Sequence, residues 1–488
     1  MDHLVTVFEQ LRARRPADPI VISARARMTV DDVGALAGMA ESALMRSRGV
    51  PGAPIGLLAP NGPGFLAGLI ALRRAGFPAV LLDPLATAQE TRGAFSTMGP
   101  LPILAVGGAW PRGPADFRVT LPGPAEATAA PVVDLPAGTA VVKMTSGSTG
   151  EARGVAVTSE ALLADDAALR ASTGIGHQDR LVAAIPFSHS YGLSSLVLPA
   201  LAHGVPLVMP VEAGPFAPML AAQSCAGTVL HTVPAWIAAL VNLAETLPLP
   251  VSLRLTISAG GPLMPQTARE FRRRYGRAVH VFYGATECGG IAYDRGGDAG
   301  ERGTVGEPIE GVRVTLRPVQ GIDAGEAGCV VVESPAAGLS YVPRGSAERA
   351  DLEDSLGGGR FVSHDLASRD GAELRLLGRL DDVINVHGRK VRPAEVEQII
   401  GEIEGVEGVV VHAFRADGER DPSVRAVVAC APGALTGPDV LDRCRGRLSD
   451  FKIPRTVLLV ADLPRTGRGK IDRAAAAALK SMRSPAHG

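Results

Sequence analysis

Short apolar runs alternate with helical segments from residue 3 to about residue 105, and this rhythm constrains the fold more than any other feature of the sequence. One repeat consists of the run APIGLLAP, the helical segment GFLAGLIALRRAG and the run PAVLLD. Strands that are joined through a helix pair in parallel. A second series of this kind extends from LVAAIPF to AVHVFYGATE. We therefore predict an α/β fold with a large N-terminal domain of parallel-rich α/β subdomains.

The pattern of apolar and polar residues changes between Gly303 and about Leu377. Short alternating segments such as VRVTLRP and CVVVESP lie there among many glycines. Alternation with a period of two, interrupted by turn residues, predicts a small antiparallel β subdomain. The polar segment GRLDDVINVHGRK, residues 378–390, then leads into the last part of the chain.

The residues after this polar segment predict a small α+β C-terminal domain. Pro393 suits a first helical turn, and Val396 and Ile400 repeat on one helical face. Apolar runs typical of strands follow. A chain of 488 residues is also too long for one compact core. We expect residues 1–379 to form the N-terminal domain and residues 380–488 to form the C-terminal domain.

The charge balance limits the classes of partner. The chain has 49 basic and 50 acidic residues, so it has no excess of positive charge for nucleic acid or for an anionic membrane. The most apolar stretch, residues 193–211, contains Pro199, His203 and Pro206 and is not typical of a membrane span. The N-terminus has no basic segment followed by an apolar one, so we expect no signal peptide. A small neutral or anionic ligand is favoured.

The cysteines are typical of a reducing compartment. The chain has five, they are scattered, and none belongs to a CxxC pair. This distribution argues against a disulfide framework and against a zinc site. We expect a cytoplasmic protein.

A loop rich in hydroxyl groups and glycine follows the apolar strand that contains Val141 and Val142. Its residues are Thr145, Ser146, Gly147, Ser148, Thr149 and Gly150. The glycines let backbone N–H groups turn toward an anion, and the hydroxyl groups add donors. The loop lacks the Lys-Ser/Thr pair of a Walker loop, and Arg153 is the first cation after it. Alone, the loop predicts either a phosphate site or an ordinary Gly/Ser turn.

Four separated segments together resemble the acyl-adenylate-forming enzymes, which include acyl-CoA synthetases, adenylation domains and luciferases. They are TSGSTGEARGV, YGATE at 283–287, His364-Asp365 with GRLDD at 378–382, and PRTGRGK at 464–470. Their order and spacing are those of the family over nearly the whole chain, and the chain is most similar to a stand-alone acyl- or aryl-CoA ligase. The resemblance implies that ATP and a carboxylate give an acyl-adenylate and pyrophosphate, and that a thiol then displaces AMP.

The resemblance also implies roles for residues of the N-terminal domain. The loop at 145–150, together with Arg153, would hold the β- and γ-phosphates. Tyr283 and Gly284 would lie at the adenine, opposite the backbone of Gly260, Gly261 and Pro262. The reaction centre would contain Thr286 at the α-phosphate, Glu287 as the Mg²⁺ ligand, and His189 at the border of the acyl pocket. Without the resemblance, Tyr283 would be interpreted as a core residue and Glu287 as a surface acid.

The remaining implied roles lie near the polar segment and beyond it. Asp365 would accept both ribose hydroxyl groups with help from Arg379, since an ionised carboxylate has two acceptor oxygens. Asp381 would be the hinge between the domains. Lys470 would reach the α-phosphate and the substrate carboxylate during adenylation. After rotation, a second face carrying His387, Gly388 and Lys390 would serve the thiol.

The sequence departs from the family pattern at four positions. The usual lysine after the phosphate loop is Arg153, and the preceding proline is Ala152. His364 replaces a commoner glycine, and Asn385 stands where many relatives carry lysine. These departures affect details of how the protein closes over the nucleotide, and they leave the implied reaction unchanged.

The substrate is predicted only by class. Residues 186–211 contain no acid to hold a substrate ammonium, and an unpaired ammonium there would be costly, so an α-amino acid is disfavoured. Trp236, Ile237 and Phe282 favour an apolar acyl or aryl group, although the same residues could be core. We expect ATP and Mg²⁺ as cofactors, and coenzyme A as the acceptor of the acyl group. The alternatives are a ligase that loads a separate phosphopantetheinyl acyl carrier protein, and a nucleotide-binding pseudoenzyme that acts as a regulator or scaffold.

Overall fold

The structure is a computed structural model. It describes residues 2–47, 53–86, 97–121, 133–146, 152–243, 247–319, 327–343, 355–386, 389–415, 422–465 and 471–479. The chain divides into two compact units. The first comprises Met1–Leu263, Thr267–Val314 and Val332–Val362, and the second comprises Met264–Gln266, Thr315–Val331 and Ser363–Gly488.

The strands within the described residues are numbered in chain order. They are β1 (Pro19–Ile22), β2 (Arg27–Thr29), β3 (Ile55–Leu58), β4 (Ala79–Leu82), β5 (Ile103–Val106), β6 (Phe117–Thr120), β7 (Val141–Ser146), β8 (Ala152–Val157), β9 (Leu181–Val182), β10 (Leu207–Val208), β11 (Val229–Thr232), β12 (Leu255–Ser258), β13 (His280–Ala285), β14 (Gly289–Tyr293), β15 (Glu307–Pro308), β16 (Arg313–Pro318), β17 (Gly328–Glu333), β18 (Ser340–Val342), β19 (Leu356–Gly357), β20 (Arg360–Asp370), β21 (Glu373–Arg379), β22 (Ile384–Val386), β23 (Arg389–Val391), β24 (Val406–Phe414), β25 (Ser423–Cys430) and β26 (Thr456–Val460).

The α-helices of the same residues are numbered in the same way. They are α1 (His3–Arg14), α2 (Val30–Arg46), α3 (Pro63–Arg74), α4 (Ser159–Thr173), α5 (Ser190–Gly192), α6 (Leu198–His203), α7 (Ala217–Ser224), α8 (Pro234–Val241), α9 (Pro265–Tyr275), α10 (Ala299–Arg302), α11 (Pro393–Gly401), α12 (Gly437–Cys444) and α13 (Arg473–Ala477). A π turn at Leu193–Val197 connects α5 to α6, and 3-10 turns lie at Pro114–Asp116, Leu380–Asp382 and Asp450–Lys452.

The largest sheet of the first unit has nine strands in the order β15-β14-β13-β12-β11-β9-β10-β1-β2. Its six central strands, from β13 to β1, all pair in parallel. The strands at both ends, β2, β14 and β15, pair antiparallel. The short apolar strands therefore form the parallel-rich sheet that the βα rhythm predicts.

The second sheet of this unit has seven strands in the order β18-β8-β7-β4-β3-β5-β6. Its central pairs are parallel, and β6, β8 and β18 add antiparallel edges. Strand β6 lies within residues 107–138, whose richness in Pro, Gly and Ala indicates a loose connection rather than a strand. Helix α3 packs on this sheet, and its residues Phe65, Leu66 and Leu69 are fully buried.

The second unit contains most of a five-stranded sheet in which β20 pairs antiparallel with β19 and β21. Its C-terminal part has a three-stranded sheet, β24-β25-β26, packed against α11 and α12. Val396 and Ile400 of α11 are fully buried in a core with Val411 and Val440, as their helical spacing predicts. The predicted fold class is confirmed by these α/β and α+β parts.

Candidate active site

The predicted phosphate loop lies between two paired strands. Strand β7 leads into it and β8 returns antiparallel, with Thr145 opposite Arg153. Gly147, Ser148, Thr149 and Gly150 lie outside the described residues, as does the side chain of Ser146. A hairpin of this kind brings the two ends of the loop together, so Thr145 and Arg153 are adjacent at its base.

The predicted adenine-binding residues come from two neighbouring strands. Ser258 of β12 is paired with Val281 of β13, so the turn after β12 lies beside the end of β13. That turn contains Gly260, Gly261 and Pro262, all exposed. Gly260 has a φ of +83°, a left-handed conformation that favours glycine. Tyr283 is buried and Gly284 is exposed, and the pairing of β13 with β14 shifts register between these two residues.

A turn between β13 and β14 carries the half-buried Thr286 and Glu287. The hydroxyl group of Tyr341 donates a hydrogen bond of 3.0 Å to Glu287 Oε1. The Glu287 carbonyl accepts a second bond, of 2.8 Å, from the backbone N–H of Gly338. Burial, and then the adjacent Glu287 charge, raise the pKa of Tyr341, so its phenol keeps its proton and remains a donor. Glu287 is therefore held by one hydrogen bond to its side-chain carboxylate and one to its backbone carbonyl.

Asp165 anchors the strand that follows this turn. It lies on α4, which Thr158 caps by accepting a hydrogen bond from the backbone N–H of Ala161. The Asp165 carboxylate accepts a 2.9 Å bond from the Gly290 N–H and a 2.5 Å bond from the Ser194 hydroxyl group. No sequence pattern identifies this contact, because its two sides are 125 residues apart.

Two further features show how tightly this region is packed. A Cβ at Gly289 would lie 2.3 Å from Asp165, and the φ of Gly289 is +73°, so only glycine fits. Lys143 of β7 is also buried, and desolvation lowers its pKa while the charge of Asp165 acts in the opposite direction. Desolvation likewise raises the pKa of Asp165, and Lys143 opposes that change. The two buried groups therefore interact electrostatically.

His189, predicted at the acyl pocket, has a carboxylate partner. Its Nε2 lies 2.8 Å from Asp83 Oδ2, and the side chains of His189 and Asp83 are 26% and 9% exposed. Asp83 follows β4 directly, whereas His189 precedes α5. The backbone is closely packed here, since a Cβ at Gly192 would lie 1.9 Å from the carbonyl oxygen of Pro186. Asp83 is a second residue that sequence reasoning misses.

Tyr191, two residues after His189, belongs to an aromatic cluster. The Tyr191 ring is 5.6 Å from the ring of His231 and 5.8 Å from the ring of Phe282. The Tyr191 hydroxyl group lies 3.3 Å from His231 Nδ1 and 3.3 Å from the Ile257 carbonyl oxygen. Burial lowers the pKa of His231 to about 3, so this imidazole is neutral near pH 7.

Two other apolar residues with a predicted place at the acyl group contribute to packing instead. Ile237 is fully buried in a core cluster with Leu240 and Phe271. Trp236 packs against Phe216, and its indole N–H donates to the Pro215 carbonyl oxygen at 2.6 Å. Ile237 therefore has the environment of a core residue, whereas Trp236 is only half-buried.

The predicted ribose-binding residues lie on one strand pair of the second unit. Asp365 of β20 is directly opposite Arg379 of β21, and Arg379 Nε lies 3.9 Å from Asp365 Oδ1. The predicted hinge residue, Asp381, lies 2.8 Å from His364 Nδ1 and 3.5 Å from Arg379 Nη2. Asp365, Arg379 and Asp381 thus form one exposed ionic cluster with His364.

The other residues predicted in the second unit are only partly described. Lys390 is exposed on β23, opposite Asn385, whereas His387 and Gly388 lie outside the described residues. Lys470 lies outside them as well. Arg465 and Ile471, which flank the segment containing it, form an isolated antiparallel bridge.

The comparison with protein families identifies the chain. The model of the AMP-binding enzymes matches residues 8–342, more than half of the chain. The chain belongs to the AMP-binding enzymes. The model of the AMP-binding enzyme C-terminal domain matches residues 395–470.

Individual proteins are similar to this AMP-binding enzyme over most of its length. Feruloyl-CoA synthase of an Amycolatopsis species is 29% identical over 449 residues, which cover 88% of this chain and 89% of that protein. The 4-hydroxybenzoate–CoA/benzoate–CoA ligase of Rhodopseudomonas palustris is 28% identical over 343 residues, or 67% of this chain and 62% of that protein. The structure of the amide bond synthetase McbA from Marinactinospora thermotolerans has a TM-score of 0.79 and 25% identity, and the similarity covers 96% of this chain and 98% of that one.

These similarities confirm the predicted family and the predicted enzyme class, an AMP-forming acid–thiol ligase of the acyl-CoA synthetase type. Among the described residues, no helix is both long enough and apolar enough to cross a membrane. The same part of the chain contains no group of three or more His, Cys, Asp or Glu side chains that could hold a metal ion.

Proposed function

We propose that this AMP-binding enzyme activates an apolar or aromatic carboxylic acid with ATP and transfers the acyl group to coenzyme A. The observation that carries the proposal is the anchored carboxylate of Glu287 in the YGATE turn, which follows the strand paired with the one that leads to Gly260. The names of two relatives, feruloyl-CoA synthase and 4-hydroxybenzoate–CoA/benzoate–CoA ligase, support an acid substrate and a coenzyme A acceptor.

The first half-reaction joins the acid to the nucleotide. A carboxylate oxygen of the acid attacks the α-phosphorus of ATP, and the bond from that phosphorus to the pyrophosphate oxygen breaks. Charge repulsion between the carboxylate and the triphosphate opposes this step, so catalysis depends on positioning and on electrostatic stabilisation. We assign the phosphates to the loop at 145–150 with Arg153, and the α-phosphate to Thr286 and Lys470.

The nucleoside has its own set of residues in this proposal. Adenine lies against Tyr283 and Gly284, opposite the backbone of Gly260, Gly261 and Pro262. The ribose hydroxyl groups donate to Asp365, and Arg379, directly opposite on the neighbouring strand, supports that carboxylate. The register of β12 with β13 and the pairing of β20 with β21 are compatible with these two assignments.

Glu287 fits a magnesium ion. One of its oxygens accepts a bond from Tyr341, which orients the carboxylate for a ligand role. Proteins bind Mg²⁺ through one or two carboxylates together with substrate phosphates rather than through a full protein cage. When bound, the ion supplies positive charge that offsets the charge of the triphosphate.

The second half-reaction makes the thioester. The sulfur of coenzyme A attacks the acyl carbon, the bond from that carbon to the AMP oxygen breaks, and the thiol proton passes to solvent. We propose that residues 1–379 and 380–488 act as two domains that rotate about Asp381 between the steps. Rotation removes Lys470 and presents the face with His387, Gly388 and Lys390.

A pyrophosphate-release assay tests the proposal. Release should require ATP, Mg²⁺ and an aromatic or apolar acid, and addition of coenzyme A should yield the acyl thioester and AMP. Formation of ADP and phosphate would contradict it. A thioester that forms only on the phosphopantetheine arm of a separate carrier protein would assign the acceptor to that protein instead.

A further inference from the structure

A small cavity lies behind the aromatic cluster in the first unit. Its volume is about 20 Å³, which is room for about one water-sized group. Leu169, Ile257 and Phe282 give it apolar walls, and His231, Arg170 and Ser195 also line it. Because all of these residues belong to one compact unit, the cavity is a feature of that unit alone.

The buried His231 has a nitrogen that lacks a partner. The residue is 3% exposed, and among the described residues its Nε2 has no hydrogen-bond partner. Buried polar atoms are nearly always paired, and an unpaired one costs about 1–3 kcal/mol. An unsatisfied imidazole nitrogen beside a cavity of this size marks a place for one small polar group, either a water molecule or a hydroxyl group of a ligand.

The hydrogen bonds of Tyr191 determine which kind of atom fits. Its hydroxyl group has a single hydrogen, which we assign to the Ile257 carbonyl oxygen because that oxygen can only accept. The hydroxyl oxygen can then only accept from His231 Nδ1, so the neutral ring carries its proton on Nδ1. Nε2 is consequently an acceptor, and it requires a donor from the ligand.

A second polar group at the cavity complements the first. Arg170 binds His203 through Nη1 at 2.9 Å, while its buried Nε–H has no partner among the described residues. An alcohol or phenol hydroxyl group can donate to His231 and accept from Arg170 at once. A methyl group, a methoxy group and an ionised carboxylate have no hydrogen that they could donate to His231 Nε2.

The local backbone also sets this cavity apart from an ordinary core void. The π turn at Leu193–Val197 carries Ser195 to the cavity, and π turns occur frequently at functional sites. Phe282 lines the cavity while Tyr283 follows it on the same strand. Successive strand residues point to opposite faces, so the cavity lies on the face of β13 away from Tyr283.

We propose that the cavity recognises a hydroxyl group at the distal end of the acid substrate, with His231 as the residue that selects it. The substrate is then an aromatic carboxylic acid that carries a ring hydroxyl group, bound with its ring against Tyr191 and Phe282. This inference rests on the proposed function, because it assigns a substrate class to the same acid site. Tyr191 is a positioning residue that fixes the tautomer of His231.

Matched pairs of acids test the inference. We would measure kcat/KM for pyrophosphate release with benzoic and cinnamic acids, their 3- and 4-hydroxy derivatives, and the corresponding methyl ethers. At least one hydroxy acid should exceed both its parent and its methyl ether by about 10- to 100-fold, since a buried acceptor left without a donor disfavours the other two. Equal use of the three would overturn the inference and leave the proposed function intact. No release with any acid would overturn both.

Three variants connect the preference to the residue. His231→Phe should reduce the preference to about threefold or less through the loss of the acceptor. His231→Gln, which retains an acceptor oxygen, should recover part of it. His177→Phe, at an exposed position, is the matched control and should keep the full preference. An undiminished preference in folded His231→Phe would assign the selection to another residue and contradict the proposal.

Discussion

One polar cluster in the first unit and one in the second lie in opposite environments. In the first, Asp165 and Lys143 are only 1% and 2% exposed, and each modifies the protonation of the other. In the second, the side chains of His364 and Asp381 remain 38% and 44% exposed. A buried polar network cannot exchange its partners for water without a large cost. An exposed ion pair contributes about 0–1 kcal/mol and breaks readily. The first arrangement suits a site of fixed geometry, and the second suits a segment that changes conformation.

Removal of the Asp165 carboxylate should have the largest effect on stability. Asp165→Ala leaves the Gly290 N–H and the Ser194 hydroxyl group without their buried acceptor and removes the charge that offsets that of Lys143, so we expect a loss of about 3–5 kcal/mol in the free energy of unfolding. Urea unfolding followed by tryptophan fluorescence measures it, because Trp110 and Trp236 both belong to the first unit.

The matched control is Asp442→Ala in the second unit. Asp442 pairs with Arg445, and the two side chains are 67% and 64% exposed. Its replacement should change the free energy of unfolding by less than about 0.5 kcal/mol, measured by far-ultraviolet circular dichroism. If the two aspartate variants were equally stable, the contrast between the units would be wrong.

His231 should make the first unit sensitive to acid. Its pKa is lowered to about 3 in the folded protein, against 6.5 for the free side chain. Below about pH 6.5 the unfolded chain binds a proton that the folded chain does not. The free energy of unfolding therefore decreases by about 1.4 kcal/mol for each unit by which the pH is lowered, until the folded group also binds its proton. Between pH 7 and pH 5 the wild type should lose about 2 kcal/mol more than His231→Phe.

The comparison of the two proteins at both pH values isolates this residue from other titrations. His177→Phe serves as the control and should follow the wild type. An identical pH dependence for the wild type and His231→Phe would mean that the buried imidazole accepts its proton without cost, and the neutral form assigned to it would be incorrect.

Tyr341→Phe should weaken the proposed Mg²⁺ site by a smaller amount. Loss of one hydrogen bond to a charged carboxylate corresponds to about 1.5 kcal/mol, or about a tenfold increase in the Mg²⁺ concentration that gives half-maximal pyrophosphate release. Tyr275→Phe is a suitable control, because the Tyr275 hydroxyl group has no hydrogen-bond partner among the described residues. An unchanged Mg²⁺ requirement in Tyr341→Phe would remove the tyrosine from the support of Glu287.

Sequence reasoning succeeds where local geometry determines the structure. The periodicity of short apolar runs predicts the parallel sheets, and the spacing of Val396 and Ile400 predicts the buried face of α11. The strand β7 before the phosphate loop is predicted by the same argument. Asp365 and Arg379 meet because they lie fourteen positions apart on two strands joined by one tight turn.

The missed residues have a common cause. Asp83 and His189 are 106 residues apart, and Tyr341 and Glu287 are 54 apart. Their contacts depend on how sheets and helices pack, which no local pattern encodes. Lys143 offered one signal, a charged residue within an apolar strand, but that signal does not identify Asp165 as its partner.

A smaller effect on stability is expected at the exposed cluster of the second unit, where the proposed hinge lies. His364→Ala removes one partner of Asp381, and the exposed pair should contribute less than about 1 kcal/mol, so the fold should remain intact. If Asp381 is the hinge, loss of this contact should leave pyrophosphate release unchanged and alter only thioester formation from preformed acyl-adenylate.

Asp381→Pro should slow that second step, because a fixed φ restricts rotation. Rapid-quench measurement of both half-reactions separates these effects, with Asp442→Ala as the control. Equal slowing of both half-reactions in Asp381→Pro, or no slowing of either, would exclude Asp381 as the hinge and leave the exposed cluster with a role in ribose binding alone.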